Sequence, residues 1–430
     1  MNMQPKGNFE VDEDLELPLP VVSTDEEEAY GIEELFFSRT DERGVIQSYN
    51  DTFERIAGFT PGELMGAPHK LVRHGDVPKA VFWLLWNGLK AGVPVGAYVK
   101  NRTKSGKYYW VYAVASPITD GFLSVRMKPS SPLFAQVQKL YQAALRDEQE
   151  LGLSAEDSAH RLLEQLQSLG FPTYAMFQSH AFYTEFEARR DALDLAKDPV
   201  LTSVDVITSN TAIFQRELAL LARKFDHAVL LITNMEIVAN KQQVGQSVLR
   251  AIAQNYSMKM RGIEGHLANV RVHEELDGIW GVSRDQNTYF LLCAAHLMED
   301  MTAQFDDQAR QVEDASMDLD TGFLHDLLNS YKDQSLTAVG QSVEAALKIK
   351  SGTEYLRELI LALSNIRIAC RVEMARLANA VSGLEEILTS LETFHRDVDA
   401  HLDTILTAAD EIVKGVNQSM NDPAQTSQAA

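Results

Sequence analysis

A chain of 430 residues is long enough for two or three domains, and its 45% hydrophobic and 23% charged content is ordinary for a globular protein. A net charge of −22 argues against a general nucleic-acid-binding surface. The longest apolar runs, such as Ala228–Thr233 and Tyr289–Ala295, are far shorter than the roughly 20 residues that span a bilayer, so no membrane insertion is expected.

Charge is distributed unevenly along the chain. Residues 1–34 contain eleven acidic groups and one lysine, whereas residues 35–130 contain 13 Lys/Arg and 7 Asp/Glu. The acidic segment 1–30 is predicted to be disordered because it has too little apolar surface to bury. It lacks the apolar core of a signal peptide, and Cys293 and Cys370 lack metal-site spacing, which predicts a cytoplasmic protein with two buried thiols. The basic segment fits an ordinary solvated surface or an anionic ligand equally well.

Residues 35–130 show strand patterns interrupted by short helices. Two strands, LFFSRT and VIQSYN, are joined by a turn ending in Gly44. Asp51 and Thr52 are predicted to cap a short helix that stops at Gly58, and a second helix starts at Thr60-Pro61. A longer helix covers residues 78–90 before three further strands, 95–103, 108–119 and 122–128. This order predicts an antiparallel five-stranded sheet with helices on one face.

The rest of the chain has long helical patterns. We predict a helical connector over residues 131–200, a long-helix bundle over 201–418 and a disordered tail over 419–430. A heptad repeat from Leu377 to Val416 contains one polar member, His395, and predicts a coiled-coil-type helix in which that histidine sets the register. Asn234 and Asn365 lie 131 residues apart in similar segments, which either a duplicated helical hairpin or chance explains.

Four segments of the strand-rich region carry a resemblance to a known family. They are NDTF (50–53), GFTPGELMGAPH (58–69), VRHGDVPKAVF (72–82) and VKNRTKSGKYYWV (99–111). Together they resemble the PAS domain of bacterial aerotaxis receptors, over less than a quarter of the chain. The expected fold class is therefore α+β: a PAS domain over residues 31–130 followed by an all-α bundle or coiled-coil region, similar to a diverged chemoreceptor without transmembrane segments.

The resemblance implies that the PAS pocket holds flavin adenine dinucleotide (FAD), whose redox state reports on respiration. The residues that match the family's flavin-binding positions are Asn50, Arg73, His74, Asp76, Asn101 and Trp110. Asparagine amides supply both donors and acceptors for a flavin edge, and an arginine fork suits a pyrophosphate. The sequence departs from the family at Gly75, where proline is common, and at Val95-Gly96, where a Trp-Ser pair is common.

Structural roles for the same residues remain open from sequence alone. Asn50 would serve equally well as a helix cap, and His74 as an ordinary hydrogen-bonded histidine. Trp83 and Trp86, three residues apart on one predicted helix, favour core or interface positions over cofactor contacts.

The leading hypothesis is a cytoplasmic redox or oxygen sensor that passes its signal to the helices. The chain has no P-loop, GxSxG, HExxH or GGDEF motif, so an enzyme is not expected. Expected partners are a second copy, bound through the helical region, and a chemotaxis kinase, its coupling protein or another signalling protein. Residues 233–260 depart from the Glu/Ala-rich tip by which chemoreceptors contact the kinase, and bundle core is their simpler interpretation. The alternative is a cofactor-free interaction protein that self-associates or binds partners through its helices.

Overall fold

The computed structural model describes residues 24–241, 246–270, 278–309, 315–376 and 384–420. The chain divides into two compact units, residues 1–195 with 293–330 and residues 196–292 with 331–430. Most of the predicted disordered N-terminus and tail lies outside the described residues. Residues 24–28, however, bond to the sheet: the Thr24 N–H donates to the Gly106 carbonyl at 2.8 Å and the Glu28 N–H to that of Tyr108 at 2.7 Å. Order therefore begins earlier than predicted.

The first unit contains the predicted five-stranded antiparallel sheet, with spatial order β2-β1-β5-β4-β3. Its strands are β1 (Phe36–Thr40), β2 (Ile46–Tyr49), β3 (Val95–Arg102), β4 (Tyr108–Ile118) and β5 (Gly121–Met127). The long β4 pairs with β3 and β5 along nearly its whole length. The turn before β5 needs a glycine, because Gly121 has φ +148° and an added Cβ would lie 2.0 Å from the Thr40 carbonyl oxygen.

Short helices fill the connection between β2 and β3. They are α1 (Asp51–Ala57), α2 (Pro61–Leu64), a 3-10 helix (His69–Val72) and α3 (Lys79–Lys90). The predicted cap at Asp51 and Thr52 is wrong by one position, because Asn50 is the residue whose side chain accepts from the Phe53 N–H. Its extended backbone (φ −95°, ψ 168°) is that of an N-cap, whereas Asp51 is already helical.

As predicted, short helices of the PAS region pack on one face of the sheet, and helices from later in the chain cover the other face. The inner face packs on α1, α2 and the 3-10 helix in a core that includes Phe36, Phe53 and Val111. The outer face is covered by α4 (Pro132–Leu151), α6 (Tyr174–Ala192) and parts of α9 (Arg284–Ala309) and α10 (Ala315–Arg376), while α5 (Ala155–Ser168) packs on α3. Ring contacts across the outer face join Tyr112 to Phe182 at 5.4 Å and Phe37 to Phe305 at 4.8 Å. The residues that complete this face thus come from far along the chain.

Long helices build the second unit. They are α7 (Pro199–Lys241), α8 (Gln246–Val270), the start of α9 (Arg284–Ala309), most of α10 (Ala315–Arg376) and α11 (Leu384–Met420). Ion pairs between α7 and α11, such as Lys224–Asp397, and between α10 and α11, such as Lys350–Asp410, hold antiparallel neighbours together.

The predicted heptad seam is buried from Leu388 to Val416, while Leu377 and Val381 lie outside the described residues. His395 within it is 5% exposed, and its Nε2 lies 2.6 Å from the Tyr256 hydroxyl. Asn234 and Asn365 lie on α7 and α10, and the duplication stays a prediction.

Candidate functional site

The residues predicted to hold a cofactor come from four places in the first unit. Asn50 lies between β2 and α1, and Arg73, His74 and Asp76 lie in the loop between the 3-10 helix and α3. Asn101 is on β3 and Trp110 is on β4. Their surroundings differ sharply.

Asn50 bonds to the backbone on three sides. Its Oδ1 accepts from the Phe37 N–H at 2.9 Å and the Phe53 N–H at 3.2 Å, and its Nδ2 donates to the Leu35 carbonyl at 2.8 Å. The side chain is 3% exposed. In this structure it therefore ties the start of α1 to β1.

The loop residues form a cluster at the β3 edge of the sheet. The His74 Nδ1 accepts from the Asp76 N–H at 3.1 Å. The Asp76 carboxylate accepts a hydrogen bond from the Lys100 ammonium at 2.6 Å. A backbone bridge joins Arg73 to Asn101, which brings both into the same cluster. Burial, followed by the Lys100 charge, lowers the pKa of His74, so the imidazole is neutral near pH 7.

Arg73 stacks on an aromatic ring within this cluster. Its guanidinium carbon lies 3.5 Å from the centroid of the Phe82 ring. Burial lowers the pKa of Arg73, while the Glu148 charge opposes that effect. The stacked, partly buried cation is held in place before any ligand arrives.

Trp110 lies on the opposite face of the sheet from Asn101. Asn101 is the register partner of Tyr109, whereas Trp110 is the partner of Lys100, and neighbouring residues of a strand point to opposite faces. The Trp110 ring packs on α4, with ring centroids 5.3 Å from Phe134. The structure therefore joins Arg73 to Asn101 through the backbone and places Asn101 and Trp110 on opposite faces of the sheet.

The inner face holds a charged residue that the sequence analysis missed. Arg126 of β5 is 4% exposed, and its Nη2 donates to the Ser38 hydroxyl at 2.6 Å and lies 2.8 Å from the His69 Nε2. Its Nη1 has no hydrogen-bond partner, and neither does the fully buried hydroxyl of Tyr109. The signal available in the sequence was an arginine inside the apolar strand FLSVRM, in phase with the inner-face positions.

Burial and the charge of Arg126 set the protonation of His69, Arg126 and Tyr109 on the inner face. Burial, followed by the Arg126 charge, lowers the pKa of His69 to about 3, so its imidazole is neutral. Burial lowers the pKa of Arg126 to about 10, which leaves it charged at neutral pH. Burial raises the pKa of Tyr109, which therefore keeps its proton. The cluster of Arg126, His69 and Tyr109, called the inner polar cluster below, carries one positive charge.

Other site types are not found in the described part of the chain. No group of three or more His, Cys, Asp or Glu side chains there is arranged to hold a metal ion. Cys293 and Cys370 are buried free thiols. No helix in the described ranges has the length and apolar character to cross a membrane.

Comparisons with known proteins point to the same region. Residues 46–124 match the family described as PAS fold. The aerotaxis receptor of Escherichia coli is 43% identical over 111 residues, which are 25% of this chain and 22% of the receptor. A blue-light activated histidine kinase of Erythrobacter litoralis is 13% identical, with a TM-score of 0.23 and coverage of 43% of this chain and 58% of the kinase.

The sequence match, the strand order and the helices between β2 and β3 agree with one another. The match to the receptor covers about a fifth of that protein, so the receptor's activity as a whole does not transfer with it. The N-terminal region of this chain is a PAS domain similar to that of the aerotaxis receptor, and a long helical region follows it.

Proposed function

We propose that this chain is a signal-transduction protein whose PAS domain binds FAD and whose helices respond to the redox state of the flavin. The observation that carries the proposal is the 43% identity to an aerotaxis receptor across the PAS region. The chain is proposed to act as a sensor in the cytoplasm and not to catalyse a reaction itself.

The residues of the PAS domain fit a flavin. An isoalloxazine ring needs an apolar slot with a few polar groups at its edge. The inner face supplies the aromatic rings of Phe36, Phe53 and Tyr109, and two buried polar atoms without protein partners, Arg126 Nη1 and Tyr109 OH. When bound, the flavin would supply reversible electron transfer.

The cluster of Arg73, His74, Asp76 and Asn101 at the β3 edge suits the pyrophosphate of FAD. Arg73 is oriented by its stacking on Phe82, and its guanidinium can form a forked contact with a pyrophosphate. His74 is neutral and Asp76 is paired with Lys100, so neither adds a full negative charge that would repel an anion. Asn101 lies beside Arg73 and offers an amide donor and acceptor.

Two buried carboxylates would carry a change in the sheet to the helices. The buried Glu185 carboxylate of α6 accepts from the Tyr98 hydroxyl of β3 at 2.8 Å. Asp320 of α10 pairs with Arg39 of β1 at 2.5 Å and accepts from the Ser48 hydroxyl of β2. Both lie on the outer face, so a ligand-dependent shift of the strands would act on α6 and α10. A chemotaxis kinase or its coupling protein is the partner proposed to read that shift.

An absorbance spectrum of the purified chain tests the cofactor. We expect flavin bands that bleach on anaerobic reduction, or uptake of added FAD by colourless protein. Asn101→Leu should weaken FAD binding, while Gln47→Leu, an exposed change on β2, should not. Colourless protein that takes up no added FAD would refute the flavin proposal.

Self-association through α10 is a second candidate function, and an exposed apolar stripe favours it. Leu336, Leu347, Leu361, Ile368 and Val372 are each 48 to 58% exposed. They are separated by 11, 14, 7 and 4 residues, which are close to whole helical turns, so they share one face of α10. We propose that a second copy of the chain covers this stripe. Sedimentation of Leu361→Glu should then show a lower dimer fraction than Glu358→Gln, and equal fractions would refute it.

A further inference from the structure

We propose that Arg126 and Tyr109 are ligand-contacting residues and that their site selects a ligand oxygen that is anionic or a strong acceptor. The proposal deepens the proposed function, because FAD is the ligand used as the probe. None of the predicted cofactor residues belongs to this inner polar cluster.

Arg126 carries an uncompensated charge. Among the described residues Arg126 forms no ion pair, although it is 4% exposed. A buried cation without a carboxylate is unfavourable, because it loses hydration without gaining an opposite charge. Arg39 of β1 shows the usual solution, since its guanidinium lies 2.5 Å from the Asp320 carboxylate on the other face of the sheet. A ligand acceptor would provide the missing partner.

The unpartnered polar groups of the inner polar cluster are hydrogen-bond donors. The Arg126 Nη1 is a donor without a partner, and the Tyr109 hydroxyl keeps its proton and has no partner. His69 is neutral and already faces Arg126 through its Nε2. Two unused donors beside one positive charge fit a carbonyl or an anionic oxygen and disfavour a cation or an apolar group.

Neighbouring side chains hold Tyr109 and Arg126 in place. The Tyr109 ring stacks on Phe36 with centroids 5.4 Å apart and planes 5° apart. The Arg126 guanidinium is fixed by the Ser38 hydroxyl and lies 5.5 Å from the centroid of the Phe53 ring. Side chains held this way do not need to be ordered by the ligand, which lowers the cost of binding.

Three variants separate a ligand role from a structural role. Arg126→Met removes the charge but keeps much of the side-chain volume, Tyr109→Phe removes only the hydroxyl, and Arg39→Met removes a paired arginine on the opposite face. Each is compared with wild type for its FAD dissociation constant and for its melting temperature after bound flavin has been removed.

Arg126→Met should weaken FAD binding about 10- to 100-fold, the equivalent of one charge-assisted hydrogen bond, without lowering the melting temperature of the flavin-free protein. Tyr109→Phe should weaken FAD binding about 5-fold or more, as expected for a neutral hydrogen bond. Arg39→Met should lower the melting temperature, because it leaves Asp320 buried and unpaired, and should leave FAD affinity unchanged.

A lower melting temperature for flavin-free Arg126→Met, comparable with that of Arg39→Met, would overturn the proposal. Unchanged FAD affinity in Arg126→Met would overturn it as well. If wild type itself binds no FAD, the proposed function fails, and the melting comparison alone decides the inference. In that case, a melting temperature of Arg126→Met equal to or above that of wild type would support binding of a different ligand by Arg126.

Discussion

Glu185 of α6 joins the start of α4 to strand β3. Its removal is expected to lower the free energy of unfolding. The side chain is fully buried. Its Oε1 accepts from the hydroxyls of Tyr98 at 2.8 Å and Ser131 at 2.6 Å. Its Oε2 accepts from the backbone N–H groups of Ser130 at 2.7 Å and Ser131 at 2.9 Å, which lie at the start of α4.

The substitutions Glu185→Ala and Glu185→Gln should lower the free energy of unfolding by different amounts. Alanine leaves the Ser131 N–H and the Tyr98 hydroxyl buried without their acceptor, at about 1–3 kcal/mol each, so we expect a loss of about 4 kcal/mol in unfolding free energy. Glutamine keeps one oxygen for the backbone N–H groups, and the two hydroxyls can rotate to accept from its amide. Its expected cost is about 1–2 kcal/mol.

Urea unfolding followed by tryptophan fluorescence measures these losses. Three of the four tryptophans, Trp83, Trp86 and Trp110, lie in the first unit, so the signal reports mainly on its unfolding. Glu164→Ala, an exposed change on α5, is the control and should have little effect. A loss below about 1 kcal/mol for Glu185→Ala, or equal losses for alanine and glutamine, would refute the reasoning.

Further predictions concern a cap, a buried histidine and a turn. Asn50→Ala should cost about 3 kcal/mol in urea unfolding, because three backbone bonds are lost, and a value below about 1 kcal/mol would contradict this. Burial lowers the pKa of His395 to about 4, against about 6.5 unfolded, so the unfolded chain binds a proton first as the pH falls. Stability should drop by up to about 3 kcal/mol between pH 6.5 and 4, measured by circular dichroism, and His395→Leu but not the exposed control His227→Leu should abolish that drop. Gly121→Ala should destabilise severely, because its Cβ would lie 2.0 Å from a carbonyl oxygen of β1, whereas Gly75→Ala meets nothing within 4 Å and should melt like wild type.

The PAS fold was readable from local patterns. The strands, the turn with Gly44, and the short helices after Asn50 are each encoded by neighbouring residues, so their order and type followed from the sequence. The error at the α1 cap was small and local, because Asn50, Asp51 and Thr52 are all good capping residues and backbone geometry chooses among them.

The composition of the candidate site was harder to predict, because it depends on which face of each strand is inside. Strand alternation separates Asn101 from Trp110 only once the register of β3 and β4 is known. For the same reason the role of Arg126 could not be predicted, because its burial and its missing hydrogen-bond partner are properties of the packed sheet.

The sequence by itself determined the order and type of the PAS strands and helices along the chain, the resemblance to aerotaxis receptors and the heptad pattern of the last helix, since all three depend on residues close together in the chain. Only the tertiary structure decided that Phe305 of α9 and Asp320 of α10 complete the outer face, and that Arg126 is left without a counter-charge on the inner face. Such contacts join residues up to 281 positions apart, as Arg39 and Asp320 are, and their formation depends on packing free energy rather than on local conformational preference.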